Sequence, residues 1–158
     1  MLRLGTIIFA LVLAAGLGAG GDARAQDCAK VVRFESLRAG EVYFRSGPGV
    51  DYPVDWIFKT KNLPVAVIGE YELWRRVCDF EGTVGWVHRS MLSNTSTAMI
   101  VAPVATLRRA PLASSPAVAR AESTVVGELE GCEQGWCRLD IQGNKGWVER
   151  KSIWGAVK

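Results

Sequence analysis

The chain has 158 residues, 49% of them hydrophobic, with 19 Lys and Arg against 16 Asp and Glu and a formal net charge of +3. Proteins that bind nucleic acids concentrate positive charge on one face. Here Arg75-Arg76 and Arg108-Arg109 are isolated pairs beside acids, so we predict no nucleic-acid partner. The single histidine, His88, excludes a metal site with two histidine ligands, so we expect no metal and no cofactor.

Residues 1–25 have the pattern of an export signal. Arg3 supplies a positive start, residues 4–19 are mostly apolar, and Ala23-Arg24-Ala25 fits the small-residue A-x-A cleavage motif. We therefore predict cleavage after Ala25 and an exported protein, periplasmic or secreted, with no stable membrane insertion afterwards. The alternative is an uncleaved membrane anchor, since the apolar run approaches the length of a short spanning helix.

After Lys30 the chain alternates short strand patterns with turns. Residues 41–45 alternate polar and apolar side chains, and residues 65–68 are an apolar run rich in β-branched residues. Residues 74–77 and 85–87 flank a Gly-containing turn and are predicted to form a hairpin. Because no stretch keeps a 3.6-residue apolar period for three turns, we predict an all-β protein without helices longer than one turn.

The second half of the chain repeats the first half. Three landmarks recur at offsets that shorten from 63 to 61 residues: Arg45 as Arg108, Trp74 as Trp136, and Gly85-Trp86-Val87 as Gly146-Trp147-Val148. A period of about 60 residues marks two copies of one small domain, which we place at residues 30–93 and 98–156. The polar seam between them is short, so the copies are expected to touch. A duplicated unit without an acid–base set is typical of a protein that binds and does not catalyse.

Two of the four cysteines are predicted to bridge neighbouring strands. Cys132 and Cys137 enclose a four-residue loop that fits a hairpin turn. Their counterparts in the first copy are Glu70 and Arg75, an opposite-charge pair of the kind found on cross-strand neighbours. We therefore predict a disulfide here, as expected in an oxidising compartment. A redox-active pair is the alternative, but the C-x4-C spacing is not that of the C-x-x-C motif.

The other two cysteines are Cys28 and Cys78. We predict that they pair, which would tie the mature N-terminus to a strand of the first copy. The alternative is a hydrolase in which Cys78 is the nucleophile and His88 the base. These two residues are ten positions apart, on strands that are predicted to pair.

The first copy carries four diagnostic motifs: Arg45-Ser46-Gly47-Pro48-Gly49, Tyr52-Pro53-Val54-Asp55-Trp56, Trp74-Arg75-Arg76-Val77 and Gly85-Trp86-Val87-His88-Arg89-Ser90. They resemble the bacterial SH3-like domain, and more narrowly the tandem form found in exported proteins of Gram-negative bacteria. The second copy matches more weakly, because Gly47 and Gly49 become Ala110 and Leu112. The resemblance implies a small β-barrel of five or six strands in each copy. It also implies a non-catalytic role, often the binding of peptidoglycan or of a protein partner in the cell envelope.

The repeat sorts the aromatic residues into two groups. Trp74 and Trp86 recur in the second copy, which favours a role in the barrel, whereas Tyr52, Trp56 and Tyr71 are specific to the first copy. We predict that Tyr52 and Trp56, four residues apart after a Gly-Pro-Gly turn, form an exposed stacking platform for a peptide or sugar. The alternative is that Trp56 fills the barrel mouth or the contact between copies. The candidate ligand-binding residues are Tyr52, Trp56, Tyr71 and Trp74.

Three further residues have predicted structural roles. Trp154 has no counterpart in the first copy and is expected to pack against that copy, fixing the pair. Arg45 and Arg108 each precede a turn, and we expect them to donate hydrogen bonds to turn carbonyls. The alternative for these arginines is the binding of an anionic stem peptide.

The sequence as a whole predicts two tandem SH3-like barrels that form a non-catalytic, exported binding module of the cell envelope. Peptidoglycan or its stem peptide is the favoured ligand. The alternative is a protein–protein adaptor that docks on an envelope enzyme or a secretion component, which an exposed apolar patch would favour.

Overall fold

The computed structural model of the protein describes Cys28 and residues 30–155. These residues form fourteen β-strands and two single-turn 3-10 helices, which confirms the all-β prediction. The strands make two seven-stranded antiparallel sheets, one in each copy. The predicted signal peptide, residues 1–25, lies outside the described residues. Within the described part of the chain, no helix is long and apolar enough to cross a bilayer.

The first sheet has the strand order β3-β2-β6-β5-β4-β1-β7. Its strands are β1 (Arg33–Leu37), β2 (Val42–Arg45), β3 (Val54–Phe58), β4 (Pro64–Tyr71), β5 (Trp74–Cys78), β6 (Val84–His88) and β7 (Leu92–Ser93). The sheet has one more strand than the maximum of six expected from sequence. The two-residue β7 pairs with β1 at Leu37 and Leu92, and it is too short to show any alternation of side chains.

The second sheet repeats this topology with every strand shifted by seven, in the order β10-β9-β13-β12-β11-β8-β14. Its strands are β8 (Thr97–Ile100), β9 (Val104–Arg108), β10 (Ala117–Glu122), β11 (Val126–Glu133), β12 (Trp136–Ile141), β13 (Asn144–Glu149) and β14 (Ile153–Trp154). Even the irregularities repeat. The β4–β5 register shifts before Gly69 and the β11–β12 register shifts before Gly131. The duplication read from sequence is therefore a duplication of structure.

Each sheet curls around its own core. The first core takes buried side chains from all seven strands, including Phe58 on edge strand β3 and Leu92 on β7 at the other edge. A sheet whose two edges contribute to one cluster must close on itself, which abolishes most of its exposed edge. The second core is built in the same way around Leu107, Leu139 and Val148.

The repeated Gly-Trp-Val motif is explained by close packing between strands. A Cβ atom at Gly85 would overlap the ring of Phe44, and one at Gly146 would lie 2.7 Å from the Cβ of Leu107. Phe44 and Leu107 occupy equivalent positions on β2 and β9. Glycine is thus required in both copies because the large residue of the neighbouring strand lies over it.

Both predicted disulfides are present. Cys28 joins Cys78 with their Cα atoms 5.8 Å apart, and Cys132 joins Cys137 at 4.0 Å. The latter pair lies directly opposite across β11 and β12. Among the described residues no cysteine is left free.

The first barrel has an ion-pair cluster where the second has its short disulfide. Glu70 and Arg75 lie opposite each other on β4 and β5, and a Glu70 carboxylate oxygen lies 3.6 Å from Nε of Arg75 and 2.7 Å from a guanidinium nitrogen of Arg33. The hydrogen bond from Arg33 is the main cause that lowers the pKa of Glu70 below its usual value, so this carboxylate stays charged at neutral pH. Two different cross-strand links therefore occupy one structural position.

The two barrels pack against each other. The ring of Trp154 meets the ring of Phe34 edge to face, with centroids 5.1 Å apart. This contact confirms the expectation that Trp154, which has no counterpart in the first copy, packs against that copy. Oγ1 of Thr97 donates a hydrogen bond of 2.7 Å to the carbonyl of Asn62. Met99 of β8 is buried within the core of the first barrel. The second barrel therefore completes the apolar core of the first.

Candidate functional site

The first barrel has two grooves lined by aromatic side chains, one on the outer surface of the sheet and one at the rim of the barrel. We call the first the outer groove. It has a volume of about 510 Å³ and is lined by Tyr43 and Arg45 of β2, Trp74 of β5, His88 of β6 and Met91. Tyr43 faces outward because its neighbours Val42 and Phe44 are buried in the core.

The outer groove is held together by contacts across strands. Trp74 lies directly opposite His88 in the β5–β6 register, and their rings meet edge to face with centroids 5.3 Å apart. Nδ1 of His88 accepts a hydrogen bond from the backbone N–H of Ser90 at 3.4 Å and lies 2.7 Å from the Ser90 hydroxyl.

Arg45 is a structural residue of the turn beside this groove. One of its guanidinium nitrogens donates hydrogen bonds to the carbonyls of Val50 and Tyr52, at 3.0 and 2.7 Å. Arg108 makes the equivalent bond to the carbonyl of Ser115 at 2.7 Å. The prediction that these arginines bond turn carbonyls is confirmed.

The second groove, which we call the rim groove, lies between edge strand β3 and the turn that joins β5 to β6. It has a volume of about 560 Å³, and its aromatic lining consists of Phe44, Trp56, Phe58 and Phe80. The Trp56 side chain is 62% exposed, although it stands opposite the buried Phe44 in the β2–β3 register. It therefore lies on the inward side of the sheet at the open end of the barrel.

A buried carboxylate fixes the wall of the rim groove. Oδ1 of Asp79 accepts hydrogen bonds from the backbone N–H groups of Glu81 and Thr83, at 3.0 and 2.8 Å. This pattern stabilises the turn and presents Phe80, which is 41% exposed, toward solvent. The aromatic wall is thus set by local hydrogen bonds before any ligand arrives.

The second barrel has both grooves in equivalent positions, and Trp136, the counterpart of Trp74, is the one aromatic residue among the residues that line them. Its outer groove has a volume of about 180 Å³ and is lined by Thr106, Trp136 and Glu149 where the first barrel has Tyr43, Trp74 and His88. Its rim groove, of about 360 Å³, is lined by Ala119, Ala121 and Gln142 where the first barrel has Trp56, Phe58 and Phe80. The two barrels share a framework and differ in the surfaces that a ligand could reach.

The four predicted site residues lie in four different places. Trp74 lines the outer groove and Trp56 lines the rim groove. Tyr71 is 54% exposed and lies opposite Trp74 at the end of the β4–β5 hairpin. Tyr52 packs its ring over Gly47, where a Cβ atom would overlap it. Trp56 lies within β3 and not in the loop that contains Tyr52.

Gly47 is not needed for its backbone conformation, because it does not lie in the left-handed region. It is required because the Tyr52 ring covers it. In the second barrel the positions of Gly47 and Tyr52 are held by Ala110 and Ser115, and the hydroxyl of Ser115 instead accepts a hydrogen bond of 3.0 Å from the N–H of Ala110. The larger side chain fits there because the ring is absent.

Sequence reasoning missed Tyr43 and Phe80. Tyr43 stands at the outward position of a strand that alternates, so an aromatic residue there is a detectable signal of an exposed surface. Phe80 is an aromatic residue inside a tight Asp-Phe-Glu-Gly turn, where turn chemistry does not require one. In both cases the signal is an aromatic residue at a position where the fold does not require one.

The residues of the alternative Cys–His dyad are separated. Cys78 is bonded to Cys28 and lies opposite Val84, whereas His88 lies opposite Trp74 at the other end of the same hairpin. A disulfide-bonded sulfur has no thiolate with which to attack a substrate. The structure therefore contradicts this alternative.

Comparisons with known proteins place the chain in a family. The family profile described as the bacterial SH3 domain matches twice, at residues 38–94 and 101–155. No curated protein matches the chain.

Solved structures that match the chain include two proteins from Trichomonas vaginalis, NlpC2 and NlpC1, each 13% identical with a TM-score of 0.36. An NlpC/P60 family protein from Bacillus cereus ATCC 10987 is 11% identical, with a TM-score of 0.35. The matches cover 77% of this chain in every case, and 47%, 45% and 55% of the respective solved chains. The chain therefore spans about half the length of these structures.

Proposed function

The chain belongs to the bacterial SH3 domain family, and from that membership we infer that it is a non-catalytic binding module of the cell envelope. We propose that its ligand is peptidoglycan or the stem peptide of peptidoglycan, and that the first barrel binds it. The two disulfides suit a protein that works outside the reducing cytoplasm. The second barrel buries Met99 in the first core and so supports the barrel that binds.

One observation carries this proposal: equivalent grooves occur in both barrels, and those of the first barrel are larger and have more aromatic side chains. A side chain that the barrel needs should persist in both copies, as Trp86 and Trp147 do. The exposed Trp56 and Tyr43 have no such counterparts. Concave surfaces with aromatic walls and a few polar groups are the usual form of a binding site for small ligands and peptides. The faces of their rings suit the apolar sides of sugars and peptide side chains.

Retention on purified sacculi tests the proposal. The mature protein is expected to sediment with sacculi, and Trp56→Ala, with or without Tyr52→Ala, is expected to lower the apparent affinity by about tenfold or more, the effect of removing a central aromatic contact. Trp74→Ala should act in the same direction. Trp136→Ala removes the equivalent side chain of the second barrel and should leave retention unchanged, which makes it the matched control for Trp74→Ala.

The outcome that contradicts the proposal is equally specific. If the wild-type protein is not retained, peptidoglycan is not the ligand. If the wild type is retained and Trp56→Ala and Trp74→Ala are retained equally well, peptidoglycan is bound by another surface. Circular dichroism spectra of each variant show whether it has kept the β fold.

A further inference from the structure

The rim groove of the first barrel combines its aromatic walls with three carboxylates. Asp55 of β3 and Asp79 and Glu81 of the adjoining turn line the groove together with Trp56 and Phe80. Asp55 and Glu81 are exposed, and Asp79 is mostly buried. No lysine or arginine lines this groove. The charged side chains that line the rim groove are therefore all acidic.

These carboxylates are not neutralised by the protein itself. In the part of the chain that the structure describes, Asp55, Asp79 and Glu81 form no ion pair with a basic side chain. The nearest lysine in sequence, Lys59, is instead paired with Glu41. The groove thus holds negative charge beside aromatic faces without an internal cation.

The acids, like the aromatic residues, are specific to the first barrel. Val118 stands where the first barrel has Asp55, and Ile141 stands where it has Asp79. The second turn is one residue shorter and has Gln142 and Gly143 in place of Phe80, Glu81 and Gly82. The second rim groove is lined by one acid and one base, Glu122 and Arg120. The framework of the barrel therefore does not need Asp55 and Glu81, whereas Asp79 also stabilises its turn.

We propose that the rim groove binds a primary ammonium group carried on a peptide, with the ammonium group between Trp56 and the carboxylates of Asp55 and Glu81. This inference rests on the proposed function and specifies it further: the group recognised would be a free side-chain amine of the stem peptide. The face of an indole ring attracts a cation, and two nearby carboxylates complement its charge.

The first experiment compares sacculi before and after acetylation of their free amines. Acetylation removes the positive charge and leaves the glycan and the peptide backbone in place. The wild-type protein is expected to bind acetylated sacculi about tenfold more weakly than untreated sacculi, the factor that corresponds to losing one charge-assisted contact. Asp55→Asn with Glu81→Gln should bind untreated sacculi with a similar loss, and acetylation should then have little further effect.

The matched control removes the same number of negative charges from the second barrel. Glu122→Gln with Glu128→Gln removes two exposed carboxylates from the second barrel, one of them in its rim groove. This variant should bind untreated sacculi as the wild type does and keep the full sensitivity to acetylation. If it loses affinity as much as the first-barrel variant, net charge is responsible and the ammonium site is refuted.

A soluble probe separates this inference from the proposed function. A trilysine peptide with blocked termini should perturb the fluorescence of the wild-type protein, and much less so that of Trp56→Ala, whereas the same peptide acetylated on every side chain should not. If trilysine binds and sacculi are not retained, the proposed function fails and the ammonium site stands. If sacculi bind equally well before and after acetylation, the ammonium site is refuted and the proposed function stands. If neither trilysine nor sacculi bind, both are refuted.

Discussion

Replacing Phe44 with alanine is expected to lower the free energy of unfolding by about 3–5 kcal/mol, as is usual when a large core side chain is removed. Phe44 is 1% exposed, its ring meets that of Phe58 with centroids 5.4 Å apart, and it lies over Gly85. Truncation would therefore leave a cavity where β2, β3 and β6 meet. Urea unfolding, followed by tryptophan fluorescence and far-UV circular dichroism, measures the loss.

Two companion variants show whether the cost comes from this packing. Phe44→Leu introduces the residue type found at the equivalent position 107 of the second barrel, and it should lose less than half as much stability. Tyr43→Ala removes an exposed neighbour on the same strand and should cost about 1 kcal/mol or less, as is usual away from the core. A loss below about 1 kcal/mol for Phe44→Ala would contradict the placement of Phe44 in a closely packed core.

Removing the Cys28–Cys78 disulfide is expected to lower the free energy of unfolding by about 4 kcal/mol, on the chain-entropy account of a long closed loop. The two cysteines are 50 residues apart, so the bridge restricts most of the unfolded first copy. Cys28→Ala with Cys78→Ala is the suitable variant, since Cys78 is fully buried and a serine hydroxyl would be stranded there. The measurement is the difference in urea unfolding from the wild type.

The second disulfide supplies the matched comparison. Cys132 and Cys137 are only five residues apart, so Cys132→Ala with Cys137→Ala should cost about 2 kcal/mol on the same account. We therefore expect the Cys28–Cys78 bridge to stabilise the protein more than the Cys132–Cys137 bridge. Equal losses of unfolding free energy for the two double variants, or a larger loss for the shorter loop, would contradict this expectation.

The fold could be predicted because its determinants are local or repeated. The Gly-Trp-Val motif marks the same hairpin twice, and the substitution of Glu70 and Arg75 by Cys132 and Cys137 indicates that two positions face each other. Internal duplication acts here as a comparison of two related sequences. The β7 strand escaped detection because two residues cannot show a period.

The candidate site was only partly predictable, for a physical reason. The rim groove exists because the sheet curls and brings Trp56 of β3 beside Phe80, which lies 24 positions further along the chain. No local pattern encodes that approach. Tyr52 and Trp56 are close in sequence, but one packs over Gly47 and the other lines the groove. Alternation and spacing identify exposed aromatic residues, and only the closed barrel shows which of them share a surface.

The differences between the two barrels fit different roles for them. The second barrel keeps its core, its short disulfide and its contact with the first through Trp154 and Phe34. Its grooves are small and largely without aromatic residues. In our proposal the second barrel stabilises the pair and the first barrel binds the ligand.

The most direct test of this proposal is to observe the indole N–H signals of the six tryptophans by nitrogen-15 NMR while soluble muropeptides released from sacculi are added. We predict that the signals of Trp56 and Trp74 shift in a saturable way and that those of Trp136 and Trp147, in the second barrel, stay in place. Shifts confined to Trp136 and Trp147, or no shift at saturating muropeptide, would contradict the assignment of binding to the first barrel.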